Sequence, residues 1–191
     1  MAGIPKDNVA AKRREEDVAA SPPAVRVKQV FSEHANFVWR SLRRLGVAPA
    51  DVDDALQEVF LVVFRRITEY EDRGLIRPWL FTISRQVASH YHRGNKRTET
   101  RHQGLVLDTV GADLEESLAR REAEEVVRSF LDQLDEPQRM VFYLSDIEGM
   151  TAPEIAVALG VNLNTVYARI RLARKRFEKE MARRLGTERP S

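Results

Sequence analysis

Residues Thr151–Glu178 read TAPEIAVALGVNLNTVYARIRLARKRFE, and this stretch decides the fold. Thr151 followed by Glu154 is a capping box, in which hydroxyl and carboxylate satisfy backbone donors at a helix start. Pro153 falls in the first turn, where a missing N–H is not felt. Gly160 supplies the positive φ of a tight turn. Asn162 or Asn164 then caps a second helix. Val166, Ile170, Ala173, Phe177 and Met181 follow at spacings of four, three, four and four residues, which is one apolar stripe. Between Asn162 and Leu185 stand eight basic and two acidic residues, a local net of +6. A short capped helix, a Gly turn and a long basic helix predict a helix-turn-helix. Its second helix would offer polar side chains to base edges in a major groove and cations to phosphates. The bland alternative is a helical hairpin with a solvated basic face. Cap, turn, stripe and charge all agree on the DNA-binding reading.

The whole chain has 191 residues and a net charge of only +2, but the charge is segregated. Val47–Asp72 carries seven acidic and two basic residues. Arg77–Arg101 carries six basic and one acidic, and Asp113–Glu136 nine acidic and three basic. Solubility alone does not require such alternation. It predicts two basic surfaces for nucleic acid and two acidic ones for another partner, such as a basic protein. There is no cysteine, which excludes a disulfide framework, a thiolate metal site and a Cys nucleophile, and fits a reducing cytoplasm. No apolar run has the length of a membrane span.

Residues 1–24 are polar and end in Ser-Pro-Pro, so they read as a disordered tail, with the KRREE run solvated. Val27–Leu45 reads as a first helix, with Val27, Val30, Phe31, Val38, Leu42 and Leu45 inward and Gly46 as its stop. In DVDDALQEVFLVVFRRI, Val52, Leu56, Val59, Phe60, Val63 and Ile67 form an apolar face. Asp53 with Gln57, and Asp54 with Glu58, form rows on the other side. Those carboxylates could serve acid–base chemistry only if burial separated their pKa values, and an exposed helix face does not supply it. No catalytic residue is expected.

Glu69–Arg77 reads as a loop around Gly74, and Pro78 as the start of a third helix with Leu80, Ile83, Val87 and Tyr91 inward. Its cations and aromatics suit single-stranded DNA, with Trp79 and Phe81 either stacking on bases or simply core; for Trp79 the core reading is preferred. His90 and His92 point to nearly opposite sides of a helix, so no metal is expected, and no cofactor. Residues 98–113 read as a linker. A second domain over 114–185 begins with one helix bearing Leu118, Val126, Val127, Phe130, Leu131 and Leu134. Glu136-Pro137 opens the next, with Val141, Leu144 and Ile147 inward and Gly149 at its end, and Gly186 ends the last helix.

These motifs resemble a known family, the extracytoplasmic-function (ECF) class of bacterial RNA polymerase sigma factors. DVDDALQEVFLVVFRR resembles region 2.2, and RPWLFTISRQVASHYHRGNKR regions 2.3 and 2.4. LDQLDEPQRMVFYLSDIEGMTAPEIAVALGVNLNTVYARIRLARKRF resembles region 4. The resemblance implies an all-α fold of two small helical domains, a region 2-like one over 25–97 and a region 4-like helix-turn-helix over 114–185, joined by a flexible linker. It implies that Asp53, Asp54, Gln57 and Glu58 dock on the clamp helices of the polymerase β′ subunit, with region 4 meeting the β flap. It implies that Arg73, Arg77, Arg85, Gln86, Ser89, His92, Arg93, Lys96 and Arg97 serve the minus-ten element as separated strand, where an unstacked base exposes its edges. It assigns Asn164, Thr165, Ala168, Arg169, Arg171, Arg174 and Lys175 to the minus-thirty-five duplex. An anti-sigma factor is a partner that the family admits and no residue here specifies. The chain departs from the pattern in its short Gly74–Arg77 loop, in Gln86 where Asn is common, in His90 where Asp is common, and in Ala168 where Ser is frequent. A stand-alone helix-turn-helix regulator of duplex DNA is the alternative; the acidic region 2.2 face argues against it.

Overall fold

A computed structural model describes residues 22–70, 74–94, 126–127 and 129–184. The chain divides into two compact units, Met1–Thr100 and Arg101–Ser191. All regular structure among the described residues is helical, so the expected all-α class holds.

The first unit is three helices, α1 (Pro23–Arg44), α2 (Val52–Arg66) and α3 (Ile76–Gly94), each packed on the other two. Helix α1 starts at Pro23, inside the stretch expected to be a tail, because proline at the first helical position gives up no hydrogen bond. It ends where Gly46 turns left-handed at φ 88° and Val47 N–H reaches back to the Leu42 carbonyl at 3.1 Å. Helix α2 carries Asp53 and Asp54 in its first turn and Arg65 and Arg66 in its last, which suits the helix dipole. Helix α3 begins two residues before the expected Pro78. Trp79 N–H bonds to the Leu75 carbonyl at 3.1 Å, so Pro78 sits within the first turn, where its missing donor has no partner to lose.

Val38, Leu42, Ala55, Val59, Val63, Leu80 and Phe81 are wholly buried between these helices. Burying each larger apolar side chain contributes about 1.5–3 kcal/mol before entropy is charged against it. Phe81 is therefore core and not a stacking platform. Trp79 is half-buried and stacks on Tyr70, with ring centroids 4.7 Å apart. Phe31, expected inward, is 47% exposed, and its ring meets Phe60 edge-on.

In the second unit, residues 129–132 are helical, and Leu134 is buried just beyond them. Helix α4 (Glu136–Phe142) is capped by Asp135, whose carboxylate accepts the Gln138 N–H at 2.8 Å. It runs into a π-helical turn, Tyr143–Ile147. Helix α5 (Ala152–Leu159) and helix α6 (Leu163–Arg184) complete the unit. Phe130, Phe142 and Phe177 form a three-ring cluster with centroids 5.0–5.7 Å apart. Val141 and Leu144 are buried as expected, but so are Met140, Phe142 and Tyr143, so the stretch from Met140 to Leu144 is covered on all sides. The Tyr143 hydroxyl donates to buried Glu148 at 2.7 Å, satisfying both groups.

Candidate polymerase and nucleic-acid interfaces

The helix-turn-helix forms as its local chemistry dictates. Thr151 N–H donates to Glu154 Oε2 at 2.7 Å, and Glu154 N–H donates to Thr151 Oγ1 at 3.4 Å. Gly160 is left-handed at φ 67°. Of the two candidate caps, Asn162 acts: its Oδ1 accepts the Asn164 N–H at 2.8 Å. Val166 and Ala173 are fully buried under α6, with Ile170, Phe177 and Met181 half-buried along the same stripe.

Opposite that stripe, Asn164, Ala168, Arg171 and Lys175 are exposed and share one face through steps of four, three and four. Thr165 and Arg169 are half-buried on a flank, off this row. Arg174 flanks the row on the other side, and its Nε donates to Asp146 Oδ1 at 2.8 Å. Tyr167, which was not singled out in the sequence, is 54% exposed. Its spacing, three after Asn164 and four before Arg171, was the available signal.

On α2, Asp53, Asp54 and Gln57 are exposed and Glu58 is half-exposed. The Trp39 indole N–H donates to Asp53 Oδ1 at 3.3 Å. His90 Nδ1 lies 3.7 Å from Glu58 Oε1. Burial raises the Tyr91 phenol pKa, and the carboxylates of Glu58, Asp54 and Asp51 raise it further, so it stays a donor toward Glu58. The acidic row continues into Leu61 and Phe64, which are 50% and 53% exposed. Both lie at helical spacing from Asp54, Gln57 and Glu58, a pattern visible in the sequence but overlooked there.

On α3, Arg85, Gln86 and Ser89 are exposed. The Arg77 guanidinium sits 4.5 Å from the Phe37 ring centroid, a cation–π contact. His92 is exposed, but its Nε2 lies 2.6 Å from the Leu45 carbonyl, which ties α3 to the end of α1. Arg93 is within the helix. Arg73, Lys96 and Arg97 lie outside the described residues, as do Leu118, Gly186 and the expected linker over 98–113. No group of His, Asp and Glu able to hold a metal occurs among the described residues.

The described residues thus form a three-helix unit with an acidic face and a unit carrying an exposed basic helix-turn-helix. Comparison with known proteins gives this arrangement a family. Family models match 30–98 as Sigma-70 region 2 and 124–177 as Sigma-70, region 4. The chain is 32% identical over 159 residues to the RNA polymerase sigma factor NccH of Alcaligenes xylosoxydans xylosoxydans, an overlap of 78% of this chain and 83% of NccH. It is 29% identical over 160 residues to the ECF RNA polymerase sigma factor SigE of Mycolicibacterium smegmatis, covering 81% of this chain and 61% of SigE. Among solved structures, CnrH in complex with the cytosolic domain of CnrY matches with a TM-score of 0.60 at 26% identity, over 87% of this chain and 94% of that one. The chain belongs to the ECF class of RNA polymerase sigma factors. It directs core RNA polymerase to specific promoters, and the comparisons support this over the stand-alone regulator. No described helix is long and apolar enough to cross a membrane.

Proposed function

We propose that the face of α2 formed by Asp53, Asp54, Gln57 and Glu58, extended by Leu61 and Phe64, docks on the clamp helices of core polymerase. The observation that carries this is the continuity of exposed carboxylates with exposed apolar side chains on one helix. Such a surface suits a basic, amphipathic partner: apolar anchors supply affinity, and charge supplies orientation and on-rate. Helix α3, through Arg85, Gln86 and Ser89, meets the minus-ten element as separated strand; the family resemblance assigns Arg73, Arg77, His92, Arg93, Lys96 and Arg97 to the same element. The row Asn164, Ala168, Arg171 and Lys175 reads the minus-thirty-five duplex. In this reading Asn164 and Arg171 address base edges, and Lys175 addresses phosphate. The factor makes and breaks no bonds; the polymerase supplies the chemistry, in the cytoplasm.

CnrH was solved with the cytosolic domain of CnrY. By that likeness, a protein that binds this chain as the cytosolic domain of CnrY binds CnrH would be the corresponding partner here. The test of the main reading is transcription in vitro with purified core enzyme and a genomic promoter library. Discrete new start sites that need this protein are expected, and aligning them gives both promoter elements. Absence of starts with active core enzyme, together with specific duplex binding by the chain alone, would overturn it.

A further inference from the structure

Eight cations on α6 suggest a strongly adhesive helix, but the fold ties up several of them. Arg183 and Arg184 both bind Glu180 Oε1 at 2.7 Å. Arg176 Nη1 donates to Gln138 Oε1 at 2.7 Å, across from α4. Arg174 Nε binds Asp146 Oδ1 at 2.8 Å, across from the π-helical turn. The second Asp146 oxygen is also occupied, by the Ser145 hydroxyl. Arg174 flanks the exposed row without belonging to it: it stands three residues after Arg171 and one before Lys175, turned toward the π turn.

We propose that Asp146 is a specificity-determining residue: it neutralises Arg174 beside the reading face, so that DNA of arbitrary sequence is held less tightly. The proposal rests on α6 being the duplex-reading helix. Binding to arbitrary DNA is set by how many phosphates the protein neutralises, and each adds about 0.9 to the slope of log affinity against log salt. Contacts to base edges add nothing to that slope. A flanking arginine left free would strengthen binding to every sequence equally and lower the ratio of specific to non-specific affinity. An arginine whose charge is already cancelled by a carboxylate at 2.8 Å releases no counterion when DNA arrives. The opposite arrangement is also chemically defined. Asp146 could hold Arg174 through Nε while its terminal nitrogens reach a phosphate, which would make the carboxylate a support and not a brake. The two differ in sign.

The experiment uses the full chain and a labelled duplex of arbitrary sequence, titrated between about 50 and 200 mM salt. The proteins are wild type, Asp146→Asn, Arg174→Ala, the double variant and Lys175→Ala, each checked for native helicity by circular dichroism. Asp146→Asn is expected to tighten binding at low salt and steepen the slope by about 0.9, an extra change of about threefold over that salt range. Arg174→Ala leaves the slope unchanged, and the double variant returns to the wild-type slope, because the gain in Asp146→Asn is Arg174 itself. A slope flattened by Arg174→Ala, with Asp146→Asn neutral or weaker, overturns the proposal in favour of the supporting role. Unchanged slopes in both also overturn it. Lys175→Ala separates these failures from a wrong helix: it flattens the slope by about 0.9 if α6 meets DNA. If Lys175→Ala leaves the slope alone, the assignment of α6 falls, and the role of Asp146 with it.

Discussion

Replacing Gly46 by alanine tests how the first unit is closed. Gly46 has φ +88°, and a Cβ there would stand 2.9 Å from His92 Cε1 and 3.3 Å from His92 Nε2. That ring is not free to swing away without loss, because Nε2 meets the Leu45 carbonyl at 2.6 Å. Two costs follow. The left-handed backbone costs an alanine roughly 1–2 kcal/mol. Displacing the imidazole forfeits a hydrogen bond worth about 0.5–1.5 kcal/mol. Gly46→Ala should therefore destabilise the unit by about 2–3 kcal/mol in the wild type, but by only about 1–2 kcal/mol when His92 is already alanine. Both tryptophans, Trp39 and Trp79, lie in this unit, so urea unfolding followed by tryptophan emission reports on it alone. With a denaturant slope of about 1 kcal/mol per molar, the midpoint falls by roughly 2–3 M in the wild type and roughly 1–2 M in the His92→Ala background. An equal shift in both backgrounds would falsify the ring contact. No shift in either would mean that α1 does not end in a left-handed residue.

Other expectations are independent of that one. Asp54→Ala with Glu58→Ala should weaken binding to core polymerase in a direct affinity measurement while leaving circular dichroism unchanged; unaltered affinity makes that face merely solvated. Thr151→Ala removes one half of the capping box and should cost about 1 kcal/mol, read as faster amide exchange along α5. Arg171→Ala should weaken minus-thirty-five binding and change the preference at one base pair, whereas a uniform loss across sequences would make Arg171 a phosphate contact. The hydrogen bonds from Arg183 and Arg184 lower the Glu180 carboxyl from the ordinary 4.5 to about 2. A depressed pKa means stability that is present above the ordinary value and lost as pH falls toward the folded one. Wild type should therefore lose more thermal stability than Glu180→Gln between pH 4.5 and about 2, and parallel losses would remove Glu180 from the acid response.

The helix-turn-helix was legible because its signals are local. Thr151 and Glu154, Gly160, and Asn162 act within a few residues of themselves, and each does in the structure what its type and position imply. What the sequence hid depends on partners far along the chain. In the sequence Arg174 and Arg176 are two more cations of a basic helix, and nothing local shows that Asp146 and Gln138, 28 and 38 residues away, stand beside them. His92 reads as a polar side chain on a basic helix, but its ring closes the turn after α1, 47 residues earlier. Leu61 and Phe64 are apolar at helical spacing and stay exposed, because α1 and α3 do not cover that side of α2. The burial of every residue from Met140 to Leu144 escaped periodicity because a helix enclosed on all sides has no polar face to reveal its phase.

The division of labour along α6 has a consequence for how such factors diverge. The helix is 22 residues long. Its exposed row begins at Asn164, while the ring cluster that anchors it to the rest of the unit enters at Phe177. Asn164, Tyr167, Ala168 and Arg171 are exposed and precede Phe177 by six residues or more, so exchanging them leaves the aromatic anchor as it is. If this row reads the promoter as proposed, duplicated genes acquire new promoter sets by changes confined to two turns of one helix, without passing through an unstable intermediate. The same separation lets an engineer recode the helix one position at a time.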